Sequence, residues 1–265
     1  MSRTRKILIV LLAVGVLALG GAFAWIAFLR DDAPPALTTS DLDDALGGGT
    51  SSPESAATAP AGSAPQSTGP DATGPDATAS PSTAATIGSA GGDVAGTWTI
   101  SSDSTLGYRV KEVIGGLDAE GAGRTNEVTG ALVIEGTTAV SAEFTVEMAS
   151  ISSDSGRRDS QFRGRIMSTD EFPTSTFVLT SPIDFGSIPA EGTSITAQAT
   201  GDLTLRGVTR TVTFELTAKI EGGRIGVLGN IPILFSDYQI PDPSNAVATV
   251  KDNGLLEFVL VFDRS

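Results

Sequence analysis

The side chains able to do chemistry are few. With no His and no Cys among 265 residues, the chain has no imidazole or thiolate for a usual Zn, Cu or haem site, no Ser-His-Asp triad and no Cys nucleophile. Oxygen ligands for a hard cation remain, and Asp242-Pro243-Ser244-Asn245 and Asp252-Asn253-Gly254 supply some, although both strings read first as turns. Asp170-Glu171 offers adjacent carboxylates, which in a loop are ordinarily solvated. No Gly-x-Ser-x-Gly is present, and Gly121-Ala122-Gly123 lacks the third glycine of a dinucleotide fingerprint. A net charge of −14 and a pI near 4.3 argue against a nucleic-acid partner. No enzyme, metal or cofactor is expected from this inventory.

The one basic concentration is Ser152 to Met167, which holds Arg157, Arg158, Arg163 and Arg165. Ser155 or Asp154 can cap a short helix there, and Arg158, Phe162 and Arg165 recur at helical spacing. Arg158, Arg163 and Arg165 are therefore candidates for a mouth that meets an anionic or polar head group. The competing and stronger reading is that Arg158, Asp159 and Arg163 form pairs with nearby charged groups that fix the segment in place.

Around this excursion, residues 93–265 alternate with period two. Ile195, Ala197, Ala199, Gly201, Leu203 and Leu205 interleave with Thr196, Gln198, Thr200, Asp202, Thr204 and Arg206, the mark of a strand with one buried and one solvated face. Val212-Phe214-Leu216-Ala218-Ile220 repeats the pattern, as do segments around Trp98, Tyr108, Leu132, Phe144, Phe177, Val227 and Phe258. At least eight strands follow. Gly222-Gly223, Arg206-Gly207 and Asp252-Asn253-Gly254 read as hairpin turns, the last as type I′. A series of long antiparallel strands hides its edges most economically as a barrel.

An eight-stranded barrel packs solid or holds one small ligand. Inward Ala142, Ala197, Ala199, Ala218, Gly130, Gly201 and Gly229 either leave room for an apolar cavity or mark places where the barrel flattens on itself. The alternation assigns Phe144, Val146, Leu203, Phe214, Leu216, Val227, Ile231, Leu256, Phe258 and Leu260 to the interior, with the reservation that a one-residue slip exchanges the faces.

Two unlike pieces precede the barrel. Ile7 to Leu29 is 23 residues without a charge, spanning about 34 Å as a helix against a hydrocarbon core of about 30 Å. Arg3, Arg5 and Lys6 before it set the N-terminus in the cytoplasm and the remainder outside. Ala22-Phe23-Ala24 resembles a signal cleavage site, which would make the chain secreted, but the apolar stretch is longer than a signal core and runs past that site. Residues 1–30 are thus expected to form a single-pass transmembrane signal anchor at the cell membrane. Asp31 to Gly92 is rich in Ala, Gly, Ser, Thr and Pro, with eight acids and no base. It reads as a disordered linker over 31–92, either a spacer of about 45 Å reach or filler.

Four ordered strings resemble the YceI-like proteins: Trp98-x-Ile100 with Ser104 and Tyr108-x-Val110-x-Glu112; Gly123-Arg124-Thr125-x-x-Val128-x-Gly130; Arg157-Arg158-Asp159-x-x-Phe162-Arg163 followed by Phe172-Pro173-x-x-x-Phe177; and Gly201 through Thr209. The resemblance covers essentially all of 97–263. It implies an extended lipocalin-like antiparallel barrel whose apolar interior is associated with isoprenoid-type lipids. One departure stands out: many such proteins carry His at the position of Asp103 and near Glu112, and this chain has neither.

The expectation is an all-β, extended eight-stranded lipocalin-like barrel with one short helical excursion, holding an apolar or amphiphilic lipid such as a polyisoprenoid outside the cell. The alternative is a side-chain-filled barrel that binds an envelope protein or wall polymer by its outer surface. A hydrolase of envelope lipids has no nucleophile arrangement to support it.

Overall fold

The computed structural model describes residues 33–47, 93–246 and 248–265. The expected membrane anchor at 7–29 and most of the expected linker lie outside these residues. Among the described residues no helix is long and apolar enough to cross a membrane.

The alternating sequence folds into twelve antiparallel strands: β1 (Gly96–Ile100), β2 (Thr105–Ile114), β3 (Leu117–Thr125), β4 (Val128–Glu135), β5 (Thr138–Glu147), β6 (Thr174–Leu179), β7 (Ile183–Asp184), β8 (Ser194–Leu205), β9 (Val208–Glu221), β10 (Arg224–Leu234), β11 (Ala248–Val250) and β12 (Asn253–Arg264). Eight of them close a ring in the order β1-β4-β5-β6-β8-β9-β10-β12, with β12 returning to β1. Closure removes the free edges of the ring. β12 serves two neighbours in succession, pairing through Leu255 to Val259 with β2 and through Phe262 to Arg264 with β1. Where the chain breaks between β1 and β2, the fully buried Ser104 donates its hydroxyl to the Val261 carbonyl at 3.3 Å and accepts the Val261 N–H at 2.9 Å. A side chain thus completes the ladder there.

Gly222 and Gly223, at φ of +59° and +75°, form the tight turn between β9 and β10, the conformation that only a residue without Cβ takes freely. Arg206 and Gly207 make the corresponding turn between β8 and β9. The Asn253-Gly254 turn does not form. Both residues belong to β12 and pair with Leu234 and Ile233; Gly254 lies where a Cβ would press on the Phe235 ring, 3.1 Å away. β3 was not among the expected strands, since Asp118, Glu120, Gly121 and Gly123 carry little strand propensity. It forms because Gly123 leaves space for Tyr108, whose ring would be 2.7 Å from a Cβ at that position.

The helical excursion is present as α2 (Gly156–Gln161), with Ser155 at its N-cap, widening into a π turn over Phe162–Ile166. Phe162 stacks on Tyr108 of β2, with centroids 5.0 Å apart and planes 6° from parallel. The buried Asp159 accepts hydrogen bonds from the Ser153 N–H and hydroxyl at 2.8 and 2.6 Å.

The expected linker needs correction at its start. Residues 33–47 are ordered, and α1 (Thr39–Ala45) lies on the outer wall of the barrel. Asp41 accepts hydrogen bonds from the Thr38 N–H and hydroxyl, both at 2.7 Å, which starts the helix. Leu37, Leu42 and Leu46 then pack against Leu228, Val259 and Val261. Gly226 makes the approach possible, since a Cβ there would be 2.5 Å from Leu42. Beside this patch the fully buried Glu257 carboxylate accepts from Arg109 at 3.2 Å and from Arg124 at 2.9 Å. The same guanidinium groups donate to the carbonyls of Pro34 and Pro35. Lys219 closes the far side on Asp43 at 2.8 Å. Composition alone made this segment look like linker, but three leucines and a buried ion cluster hold it down.

Candidate lipid-binding cavity

The interior is neither solid nor one open tunnel. Phe144 on β5, Phe177 on β6, Phe214 on β9 and Phe258 on β12 form a closed cycle of ring contacts with centroids 5.2, 5.6, 5.9 and 5.8 Å apart in turn. Such edge-on and offset contacts are the favourable arrangements for phenyl pairs. The small inward residues seat these rings. A Cβ at Gly201 would lie 2.4 Å from the Phe177 ring, and one at Gly229 would lie 2.3 Å from the Phe258 ring. Ala199 pairs with Phe214 in the ladder. At these positions the lack of side-chain volume is taken up by phenyl groups.

Two cavities flank the rings. The larger, about 260 Å³, extends from Phe144 and Phe258 toward α2 and the 241–250 segment. The smaller, about 100 Å³, lies on the other side, against Leu132, Ile183, Leu216 and Phe262. Each residue assigned to the interior by alternation meets one of them. Val146, Leu203, Ile231 and Leu256 face the larger cavity; Phe214, Leu216, Val227 and Leu260 face the smaller; Phe144 and Phe258 face both.

The larger cavity is apolar except at one end. There Glu112, Ser155, Arg157, Arg158, Gln161 and Asn245 contribute polar groups; Ser175, also in the lining, turns its hydroxyl to the Thr204 carbonyl at 2.7 Å. The three arginines expected at a mouth have different fates. Arg158 lines the cavity and pairs with Glu112 at 3.3 Å and with Asp154, so the pairing reading holds for it. Arg163 donates to the Ile151 carbonyl at 3.5 Å, and Arg165 to the carbonyls of Asp242 and Pro243 at 2.6 and 2.8 Å. Neither lines the larger cavity. Arg165 instead ties the excursion to the backbone at Asp242 and Pro243. The residue overlooked was Arg157, which is exposed, lines the opening and has no ion-pair partner among the described residues. Its signal was its position one residue before Arg158, on the adjacent face of the helix.

Of the two positions where histidine was expected, Asp103 lies outside the cavity, paired with Arg224 at 2.8 Å. Glu112 lies at the polar end, buried beside Arg158. Tyr108 also lines the cavity, and burial pushes its phenol up to about 12, with the Arg158 charge opposing and nearby acids adding to the shift. Among the described residues no group of three or more acids could hold a metal ion. The polar end can meet a head group, and the apolar wall can take a tail.

Comparison with known proteins agrees with this architecture. The YceI-like domain family matches residues 98–262. A polyisoprenoid binding domain from Saccharophagus degradans, described as implicated in plant cell wall breakdown, superposes with a TM-score of 0.54 at 16% identity, covering 64% of this chain and 98% of its own. Burkholderia cenocepacia BcnA gives 0.49 at 24% identity, covering 61% and 98%. A Campylobacter jejuni YCEI protein gives 0.39 at 16%, covering 52% and 82%. No curated protein matches the sequence. The strand ring, the α2 block carrying Arg157-Arg158-Asp159, and the family match across 98–262 lead to one assignment: the chain belongs to the YceI-like domain family.

Proposed function

We propose that this protein is a lipid-binding barrel that holds the tail of an apolar or amphiphilic molecule, such as a polyisoprenoid, in its larger cavity, without catalysis. The observation that carries the reading is the 260 Å³ apolar void with its polar groups gathered at one end. A filled barrel used only by its outer surface has no need of such a space, since interiors otherwise pack to crystal-like density. Transfer of the tail from water supplies the driving force, about 25 cal/mol per Å² of apolar surface removed, before ordering costs. The polyisoprenoid-binding relative supports the ligand class by fold likeness.

The test uses the full chain in lipid nanodiscs and a farnesol analogue with a photoreactive diazirine at its tail end. Labelling is expected in the peptides containing Val146 and Leu256, and its loss in Leu256→Glu. Leu256 is only partly buried, which limits the cost of that change. Labelling confined to the outer wall would overturn the reading.

The domain is placed outside the cell on a single-pass anchor over residues 7–29, with the N-terminus in the cytoplasm. The uncharged stretch and its preceding basic residues support this. With residues 34–46 docked on the barrel, only residues 30–33 separate the anchor from the barrel wall, a reach of at most about 14 Å. The barrel then rides at the bilayer surface, and residues 48–92 connect α1 back to β1. Because the chain has no native Cys, Ser265→Cys gives a clean assay. A membrane-impermeant maleimide is expected to label it in intact cells; labelling only after lysis would overturn the placement.

A further inference from the structure

We infer that the phenyl quartet of Phe144, Phe177, Phe214 and Phe258 is a chain-length stop, so that the site takes an amphiphile with one tail of about farnesyl to geranylgeranyl size and excludes an octaprenyl tail. The inference rests on the lipid-binding reading above and fixes its ligand class. Three observations carry it.

The rings touch in a complete cycle, with no centroid separation above 5.9 Å. No path for a hydrocarbon chain passes between neighbouring rings at that spacing. The voids on either side are correspondingly separate, and Phe144 and Phe258 form the wall between them because both line each cavity.

The depth above the wall is limited. The larger cavity runs along β2 from Ile114 to Leu106, and Leu106 pairs with Phe258. Those residues rise about 27 Å along the strand, or about 20 Å along the axis of a barrel tilted near 40°. This matches an extended geranylgeranyl tail and falls well short of an octaprenyl one. The volume also argues against a long tail, since 260 Å³ falls below the usual range of small-ligand pockets, about 300–1,000 Å³.

The wall is also locked. Gly201 and Gly229 fit the faces of Phe177 and Phe258 so closely that a methyl group at either would collide with the ring, and all four phenylalanines are buried at 8% exposure or less. A ring seated against backbone on one side and two other rings on its flanks has no vacant rotamer well to swing into.

The test compares tail-end diazirine probes of farnesyl and octaprenyl length on the full chain in nanodiscs. In the native protein the farnesyl probe is expected to label peptides around Val146 and Leu203. The octaprenyl probe is expected to label the interior about tenfold less and to give no label at Leu216 to Val227. In Phe144→Ala the wall opens, and the octaprenyl tail is expected to reach Leu216 to Val227; Phe258→Leu serves if the alanine variant does not fold. Equal interior labelling of the native protein by both probes, with octaprenyl label at Leu216 to Val227, would overturn the stop while leaving the lipid-binding reading intact. Interior labelling by neither probe would overturn the lipid-binding reading itself.

Discussion

Phe144 and Phe258 meet inside the barrel with ring centroids 5.8 Å apart and planes tilted by 51°, and together they form the partition between the two cavities. Phe144 comes from β5 and Phe258 from β12, strands that share no ladder. The contact therefore crosses the lumen. Interior volume is set by where four rings from four strands converge, and only secondarily by the number of strands.

Gly229 has no room for a side chain. A methyl group there would lie 2.3 Å from the Phe258 ring, so Gly229→Ala must displace the ring or the strand. The expected cost is about 1–3 kcal/mol from overpacking, read as a lower urea midpoint with an unchanged m-value.

Glu257 is fully buried under the 34–37 segment between Arg109 and Arg124. Removing one partner of such a cluster leaves uncompensated charge, at about 3–5 kcal/mol. Glu257→Gln is expected to lose stability on that scale in equilibrium unfolding, whereas Glu120→Gln, at the half-exposed rim of the same cluster, should lose less than about 1 kcal/mol.

Leu42 is fully buried between α1 and the barrel wall. Leu42→Ala should weaken the docking of residues 33–47 by about 2–5 kcal/mol, while the closed strand ring persists. Hydrogen exchange is the appropriate readout: amides of Leu42 and Leu46 should exchange faster, and those of β8 and β9 should not change.

The larger cavity also has a pH signature. The chain has only two tyrosines, Tyr108 and Tyr238, and burial raises both phenols, Tyr108 to about 12. A raised phenol contributes stability that is intact below its unfolded value of about 10 and is lost as pH climbs through the folded value. Folded protein should therefore show less phenolate absorbance at pH 10 than the urea-unfolded chain, which is half titrated there, and the Tyr108 contribution to stability should be lost between about pH 10 and 12. A normal phenol titration in the folded protein would contradict the burial of Tyr108.

Period-two alternation was enough to assign faces in β8 and β9, because a slip would have exposed a full row of apolar side chains. That is why the residues assigned to the interior do meet its cavities. The outer strap was harder to see, though β12 contained a signal for it. Leu255 to Phe262 is apolar at every position except Glu257, and a strand without alternation is buried on both faces. Leu42 and Leu46 at helical spacing behind Thr38-x-x-Asp41 were the partner, diluted by the Ala, Pro and Gly around them. The phenyl partition was not legible at all. It depends on the relative stagger of β5, β6, β9 and β12, and sequence alternation fixes only which way each ring points.

The most direct test of the central claim is the identity of the native ligand. Residues 33–265, which contain all of the described segments, would be exported into the source cell's envelope, purified without detergent, and analysed by native mass spectrometry followed by solvent extraction. The account predicts one co-purifying amphiphile per chain, with a tail of farnesyl to geranylgeranyl size, absent from Leu256→Glu. An empty mass from a folded barrel that also takes up no added prenol would contradict it.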